Sequence, residues 1–203
     1  MIHTIYAMKS FSKLFFILFV LCPVFTGCNW EKSPVQGSYN LVQKKIMIAD
    51  YSEIEVNFPA EVVYQQYSDS FPYLQISTDD NMLEHLNIRV EDDRLIVEIK
   101  PDSIISPTKL LIYTASTSLK KVNQNSSGNI RLAGEINSLD LTMELTGAGE
   151  IRTDSLLCDK LRVDMTGSGK IILVGAAGQS VLSVNGSGQI DDTNYFCEDI
   201  IRS

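Results

Sequence analysis

Apolar and polar residues alternate along most of this chain. Ile54, Val56 and Phe58 interleave with Glu53, Glu55 and Asn57. Leu86, Ile88 and Val90 alternate with Asn87, Arg89 and Glu91, and Leu95, Val97 and Ile99 repeat the pattern. A period of two turns one side of a strand to a core and the other to water. Asp92-Asp93 separates the last two runs and predicts an antiparallel hairpin. Glu61 to Tyr67, Leu74 to Thr78 and Lys109 to Tyr113 are β-branched and aromatic runs of strand length. Asp79-Asp80-Asn81 predicts a turn or cap, with one helical turn over Met82 to His85. No stretch carries the pattern of an amphipathic helix of about ten residues or more.

The second half repeats itself. Leu141, Met143 and Leu145 alternate, as do Leu161, Val163 and Met165, and a glycine phrase follows each run. The phrases are Ser127-Gly128-Asn129-Ile130, Gly147-Ala148-Gly149-Glu150-Ile151, Gly167-Ser168-Gly169-Lys170-Ile171 and Gly186-Ser187-Gly188-Gln189-Ile190. Their last glycines are 21, 20 and 19 residues apart. A period near 20 predicts stacked repeats, each too small to bury its apolar face alone. The expected fold is all-β, with a short parallel β-helix of about four coils in the C-terminal half. A strand-rich N-terminal half extends the same core. Gly128, Gly149, Gly169 and Gly188 are the expected corners. Ile130, Ile151, Ile171 and Ile190 are the expected inward ladder, each contributing roughly 1.5–3 kcal/mol through burial. Glu150 and Lys170 become outward neighbours. A phosphate-cradling loop would need a helix after the glycines, and here a strand follows.

The N-terminus predicts export. Lys9 and Lys13 precede the apolar run Leu14 to Leu21, which is too short to span a bilayer and suits a signal-peptide core. Phe25-Thr26-Gly27-Cys28 resembles a bacterial lipobox, which would make Cys28 the lipidated first residue of the mature chain. The predicted organisation is a signal peptide over 1–27, a tether over 28–40 and a single β-rich domain over 41–203. That domain divides into a front half, 41–122, and the repeats, 123–203. Two lysines and no acids leave with the signal, so the net charge moves from −8 to −10. So acidic a chain gains nothing electrostatically from nucleic acid.

Cys158 and Cys197 each lie nine residues beyond a phrase glycine. They fall in one column two coils apart, with Gly178 expected between them. That separation is about 9–10 Å at strand spacing, beyond the roughly 7 Å limit for a disulfide. Two free, buried thiols are expected. Asp191 to Asn194 is expected as a turn. Tyr195 to Ser203 would form a short cap, closed by Phe196 and Ile200 or by another chain.

The order of these features resembles the bacterial auto-transporter adhesin, head GIN domain family of Bacteroidota-type lipoproteins. The residues that carry the resemblance are Ile54-Glu55-Val56, the Asp79-Asp80-Asn81 turn, the hairpin through Asp92-Asp93-Arg94-Leu95-Ile96-Val97 and the Ser/Ala-Gly-x-Ile phrases. They span roughly residues 47–192. The resemblance implies adhesion and supplies no catalytic residues.

The residues themselves offer little chemistry. His85 is the one histidine of the mature chain, so no Ser-His-Asp set or zinc site can be assembled around it. The acidic turns lack the ligand spacing of a calcium loop. Glu144 and Asp164 share a column and would stand about 5 Å apart, near the separation of a retaining glycosidase pair. With no aromatic platform beside them, a solvated acidic face is the simpler reading. The expectation is a non-catalytic, lipid-anchored protein of the cell envelope, in the outer membrane, with no metal and no cofactor. It would bind glycan or protein as an adhesin-like or scaffold module. The alternatives are a polysaccharide-active enzyme using the two carboxylates, or a self-assembling structural protein.

Overall fold

The computed structural model describes residues 33–67 and 72–203. The expected signal peptide over residues 1–27 and the expected lipidation site Cys28 lie outside the described residues. In chain order the strands are β1 (Val35–Gln36), β2 (Leu41–Met47), β3 (Glu53–Val56), β4 (Glu61–Gln66), β5 (Tyr73–Asp79), β6 (Leu86–Glu91) and β7 (Arg94–Ile99). They continue as β8 (Ile105–Ser106), β9 (Leu110–Ser116), β10 (Lys121–Gln124), β11 (Asn129–Gly147), β12 (Glu150–Gly167), β13 (Lys170–Gly186) and β14 (Gln189–Arg202). Among the described residues one 3-10 helix, Asp80–His85, follows β5 directly and takes in Asp80 and Asn81 of the expected turn. The domain is all-β, a curled open sheet in the form of a half-barrel.

The alternation explains the core. Leu95, Ile54, Val122, Met143, Val163 and Leu182 stand side by side on successive parallel strands. Ile112, Val62, Ile130, Ile151, Ile171 and Ile190 form a second such row. Of the four repeat isoleucines, Ile130, Ile151 and Ile171 are fully buried and Ile190 is half-buried, because it lies on the last strand. The front half joins these rows out of chain order. β3 lies between β7 and β10, so residues 94–97 stack outside residues 53–56. The antiparallel pairs β6–β7 and β2–β5–β9 end the sheet at the front. The β6–β7 turn carries Asp92 and Asp93 at φ 50° and 62°, the left-handed conformation of a tight two-residue hairpin.

A third row runs Val97, Val56, Gln124, Leu145, Met165, Val184. Gln124 interrupts it with a fully buried amide whose oxygen and nitrogen have no hydrogen-bond partner. An unmet buried amide costs more than the glutamine gains by packing. Gln124→Leu is therefore expected to stabilise the domain by about 1–2 kcal/mol, measured as a raised urea midpoint with unchanged slope.

Three expectations are corrected. Residues 33–40 are not a free tether. Val35 and Gln36 pair with Ile105 and Ser106, and Ser38 Oγ donates to Asp80 at 2.5 Å. The Ser38 and Asn40 side chains find their partner in Asp80 of the 3-10 helix, and the backbone of Val35 and Gly37 bonds to that of the β8 segment. Asp191 to Asn194 is not a turn but part of β14. One extra residue there is absorbed as a bulge opposite Ile172 to Val174, which leaves the backbone paired with β13. Phe196 and Ile200 do not close the stack, being 66% and 38% exposed.

Asp79 holds the N-terminal segment in place. Its buried carboxylate accepts hydrogen bonds from the Tyr39 N–H at 2.8 Å, the Thr108 N–H at 2.8 Å and the Thr108 hydroxyl at 2.7 Å. Burial opposes its charge, but these donors outweigh burial and hold its pKa below the ordinary carboxylate value. A depressed carboxylate pKa stabilises the fold above the unfolded-state value and stops doing so as pH falls through the folded-state value. Asp79→Asn is expected to lower the urea midpoint at pH 7. The gap from wild type should narrow below about pH 4.

Candidate functional site

The glycine phrases position everything that follows them. The first glycine of a phrase turns the chain: Gly147, Gly167 and Gly186 have φ of 118°, 120° and 133°. The second glycine packs against the phrase before it. A Cβ on Gly149 would lie 2.3 Å from the Gly128 carbonyl oxygen, and one on Gly169 would lie 2.5 Å from that of Gly149. Gly128 meets the Ala60 carbonyl at 2.3 Å and Gly188 that of Gly169 at 2.8 Å. The same carbonyls accept the next N–H, as in Glu150 N to Gly128 O at 3.1 Å and Lys170 N to Gly149 O at 3.0 Å. The four glycines expected as corners thus form a contact spine between turns.

Each long strand bends twice between phrases. The middle segments, 135–140, 155–160, 175–179 and 195–199, pair only with one another among the described strands. The front half contributes a loop there. Ser138 Oγ donates to the Leu119 carbonyl at 2.8 Å, and the Gln66 side chain donates to the Asn137 carbonyl at 3.0 Å and accepts from its N–H at 2.9 Å. The bend at the end of these segments makes a trough that crosses the strands. One hollow of about 290 Å³ is lined by Asp140, Lys160, Arg162, Gln179 and Asp199 over a floor of Leu141 and Leu161. It shares Asp140 and Thr142 with a neighbour of about 470 Å³. A third, of about 440 Å³, is bordered by Leu139, Leu157 and Asp159.

The trough is amphipathic. Asp140, Lys160, Gln179 and Asp199 occupy one column, so Lys160 stands between an acid and a neutral amide, with a second acid beyond. Asn137, Leu157, Ala176 and Phe196 occupy another. Leu139, Leu157 and Phe196 are 74%, 56% and 66% exposed. Large apolar side chains on the wet side of a sheet mark a contact surface when they share a face. Sequence reasoning missed them, although Leu156-Leu157 carries the signal. Two adjacent leucines in a strand point to opposite faces, and Leu156 is the buried one.

Cys158 reaches the same hollow from the core side. It shares a column with Ala177 and Cys197, not with Gly178, because the bulge between Arg152 and Leu156 shifts the register. Both thiols are free, and Cys197 is only half-buried rather than buried. Burial, then the nearby Asp159, Cys197 and Asp140, push the Cys158 thiol up to about 11. It is protonated at neutral pH and a poor nucleophile.

Glu144 and Asp164 stand side by side in register. Each has its own cation. Lys121 Nζ lies 2.8 Å from Glu144, and Arg162 Nε lies 2.6 Å from Asp164. Glu150 and Lys170 are also neighbours in register, but the ion partner of Lys170 is Asp191 at 3.6 Å. Among the described residues no cluster of three or more His, Cys, Asp or Glu could hold a metal. No helix there is long and apolar enough to cross a membrane.

A curled open sheet of parallel strands in register, with shallow hollows across one side, defines an all-β class of domain. Within it, the chain belongs to the family described as "Putative auto-transporter adhesin, head GIN domain", whose model matches residues 50–201. Crystal structures share the fold. A "putative adhesin" from Bacteroides fragilis is similar at a TM-score of 0.79 and 24% identity, over 83% of this chain and 78% of that one. A second "putative adhesin", from Parabacteroides distasonis, is similar at 0.65 and 26%, over 84% and 80%. A "putative lipid binding protein" from the same species is similar at 0.68 and 22%, over 84% and 80%. No curated protein matches the chain.

Proposed function

We propose that this protein is a lipid-anchored, non-catalytic module of the cell envelope that binds a glycan or protein partner, as an adhesin does. The observation that carries the reading is the trough, a row of hollows in which exposed Leu139 and Leu157 border one, Asp140, Lys160 and Arg162 line another, and a third between them takes in Leu139 and Asp140. Apolar contact with a polar rim is the composition of a recognition surface. The family description names an adhesin and no reaction. Export and anchoring rest on the apolar run of residues 14–21 and on Cys28 in its lipobox-like setting. We further read the C-terminal half as a parallel β-helix of about four coils. The parallel register that carries each phrase onto the next supports this.

The test is binding of the purified chain to immobilised extracellular-matrix proteins and to bacterial and host glycans. Binding to at least one is expected. Leu139→Asp with Leu157→Asp should weaken it by about tenfold or more while leaving the circular dichroism spectrum unchanged. Binding unaffected by this pair, or none on any surface, contradicts the reading.

A further inference from the structure

We propose that copies of this chain associate head to tail, with β2 of one copy adding to the open edge of β14 of the next. The two strands end the sheet in opposite directions on one face. β14 pairs only with β13 and β2 only with β5 among the described strands. Each leaves a row of backbone N–H and C=O groups without a ladder partner.

Their directions match. β2 is antiparallel to β5, and β5 is antiparallel to β9. β9, β4, β11, β12, β13 and β14 are parallel in turn. β2 therefore runs parallel to β14, and a shift along the stack lays it on β14 as one more parallel strand. The register can be followed across the sheet. Lys45 lies in the column of Gln75, Tyr113, Val63, Arg131, Arg152, Ile172 and Asp191. Straight continuation thus brings Lys45 beside Asp191 on one side of the sheet. Lys44 comes diagonal to Asp192 on the other, within reach of a long side chain.

Charge selects this pairing over its rivals. β2 carries Lys44 and Lys45 and no acid, whereas β14 carries Asp191, Asp192, Glu198 and Asp199 against Arg202. Joining β2 to β2 or β14 to β14 would set like charges face to face. Neither lysine makes an ion pair within the described residues, and Lys45 lies over the Tyr73 ring. Met47, 60% exposed, would be covered at the same junction. Such an interface is heterologous and does not close on itself, so it builds open chains of copies.

The test is sedimentation equilibrium of the purified full chain over about a hundredfold concentration range. The average mass should climb past that of a dimer and fall on addition of salt. Lys44→Glu with Lys45→Glu, and separately Asp191→Lys with Asp192→Lys, should each weaken association by about tenfold or more. An equimolar mixture of the two variants should recover it, since every junction is then again between unlike charges. Recovery also shows that both variants are folded. A wild-type chain that stays monomeric, stops at dimer or ignores salt overturns the proposal. So does association that survives both reversals, or a mixture of two variants with wild-type spectra that fails to recover it.

Discussion

Gly149→Val is expected to cost about 3 kcal/mol or more and to lower the melting temperature by roughly 6–12 °C. The reason is contact, not backbone angle. The Gly149 α-carbon faces the Gly128 carbonyl oxygen, 2.3 Å from where a Cβ would sit, and the Ser126 carbonyl at 2.8 Å. Both are backbone atoms that cannot swing aside. The carbonyl of Gly128 is also the acceptor for Glu150 N, so moving it breaks the next ladder bond. Gly134 is the internal control. It has φ of 75° but nothing within 4 Å of a Cβ, so Gly134→Ala should cost about 1 kcal/mol from backbone strain alone. Thermal unfolding of the two variants decides the matter. Equal losses would mean that the phrases act as flexible turns and not as contacts between repeats.

Ile151→Ala is the second large effect, at about 3–4 kcal/mol. Ile151 is fully buried between Ile130 and Ile171, and rigid strands on both sides prevent the cavity from collapsing. Ile190→Ala, two strands further out in the same row and half-buried, should cost about 1 kcal/mol. Urea denaturation of the pair measures the gradient. Similar losses at the two positions would show that the last strand is as enclosed as the centre of the stack.

The alternation and the glycine period made the strands and rows of the second half legible, because both are local signals. Ile130, Ile151, Ile171 and Ile190 lie in one row because the spacing between phrases is nearly constant and the bulges at Leu132, Arg152 and Ile172 absorb the differences. The Cys158 column was misplaced by one residue for the same reason, since a bulge leaves no mark in the residue pattern. The front half was less legible. Nothing near Arg94 signals that its strand stacks outside Glu53, a pairing across 41 residues in which the guanidinium bridges the carboxylates of Glu53 and Glu55. β2 was passed over because Gln43, Lys44 and Lys45 break the alternation, as they do on an edge strand wet on both faces. The trough was hidden because it forms only where stacked bends meet. Its polar members, Asp140, Lys160 and Asp199, are 20 and 39 residues apart in sequence and look like ordinary surface charges.

The measurement that bears most directly on the proposed role is protease shaving of intact cells that make the full chain, with lysed cells as control. A surface binding module anchored through Cys28 is predicted to disappear from intact cells, leaving periplasmic markers untouched. Protection until the cells are lysed would contradict surface display and leave the trough facing partners inside the envelope.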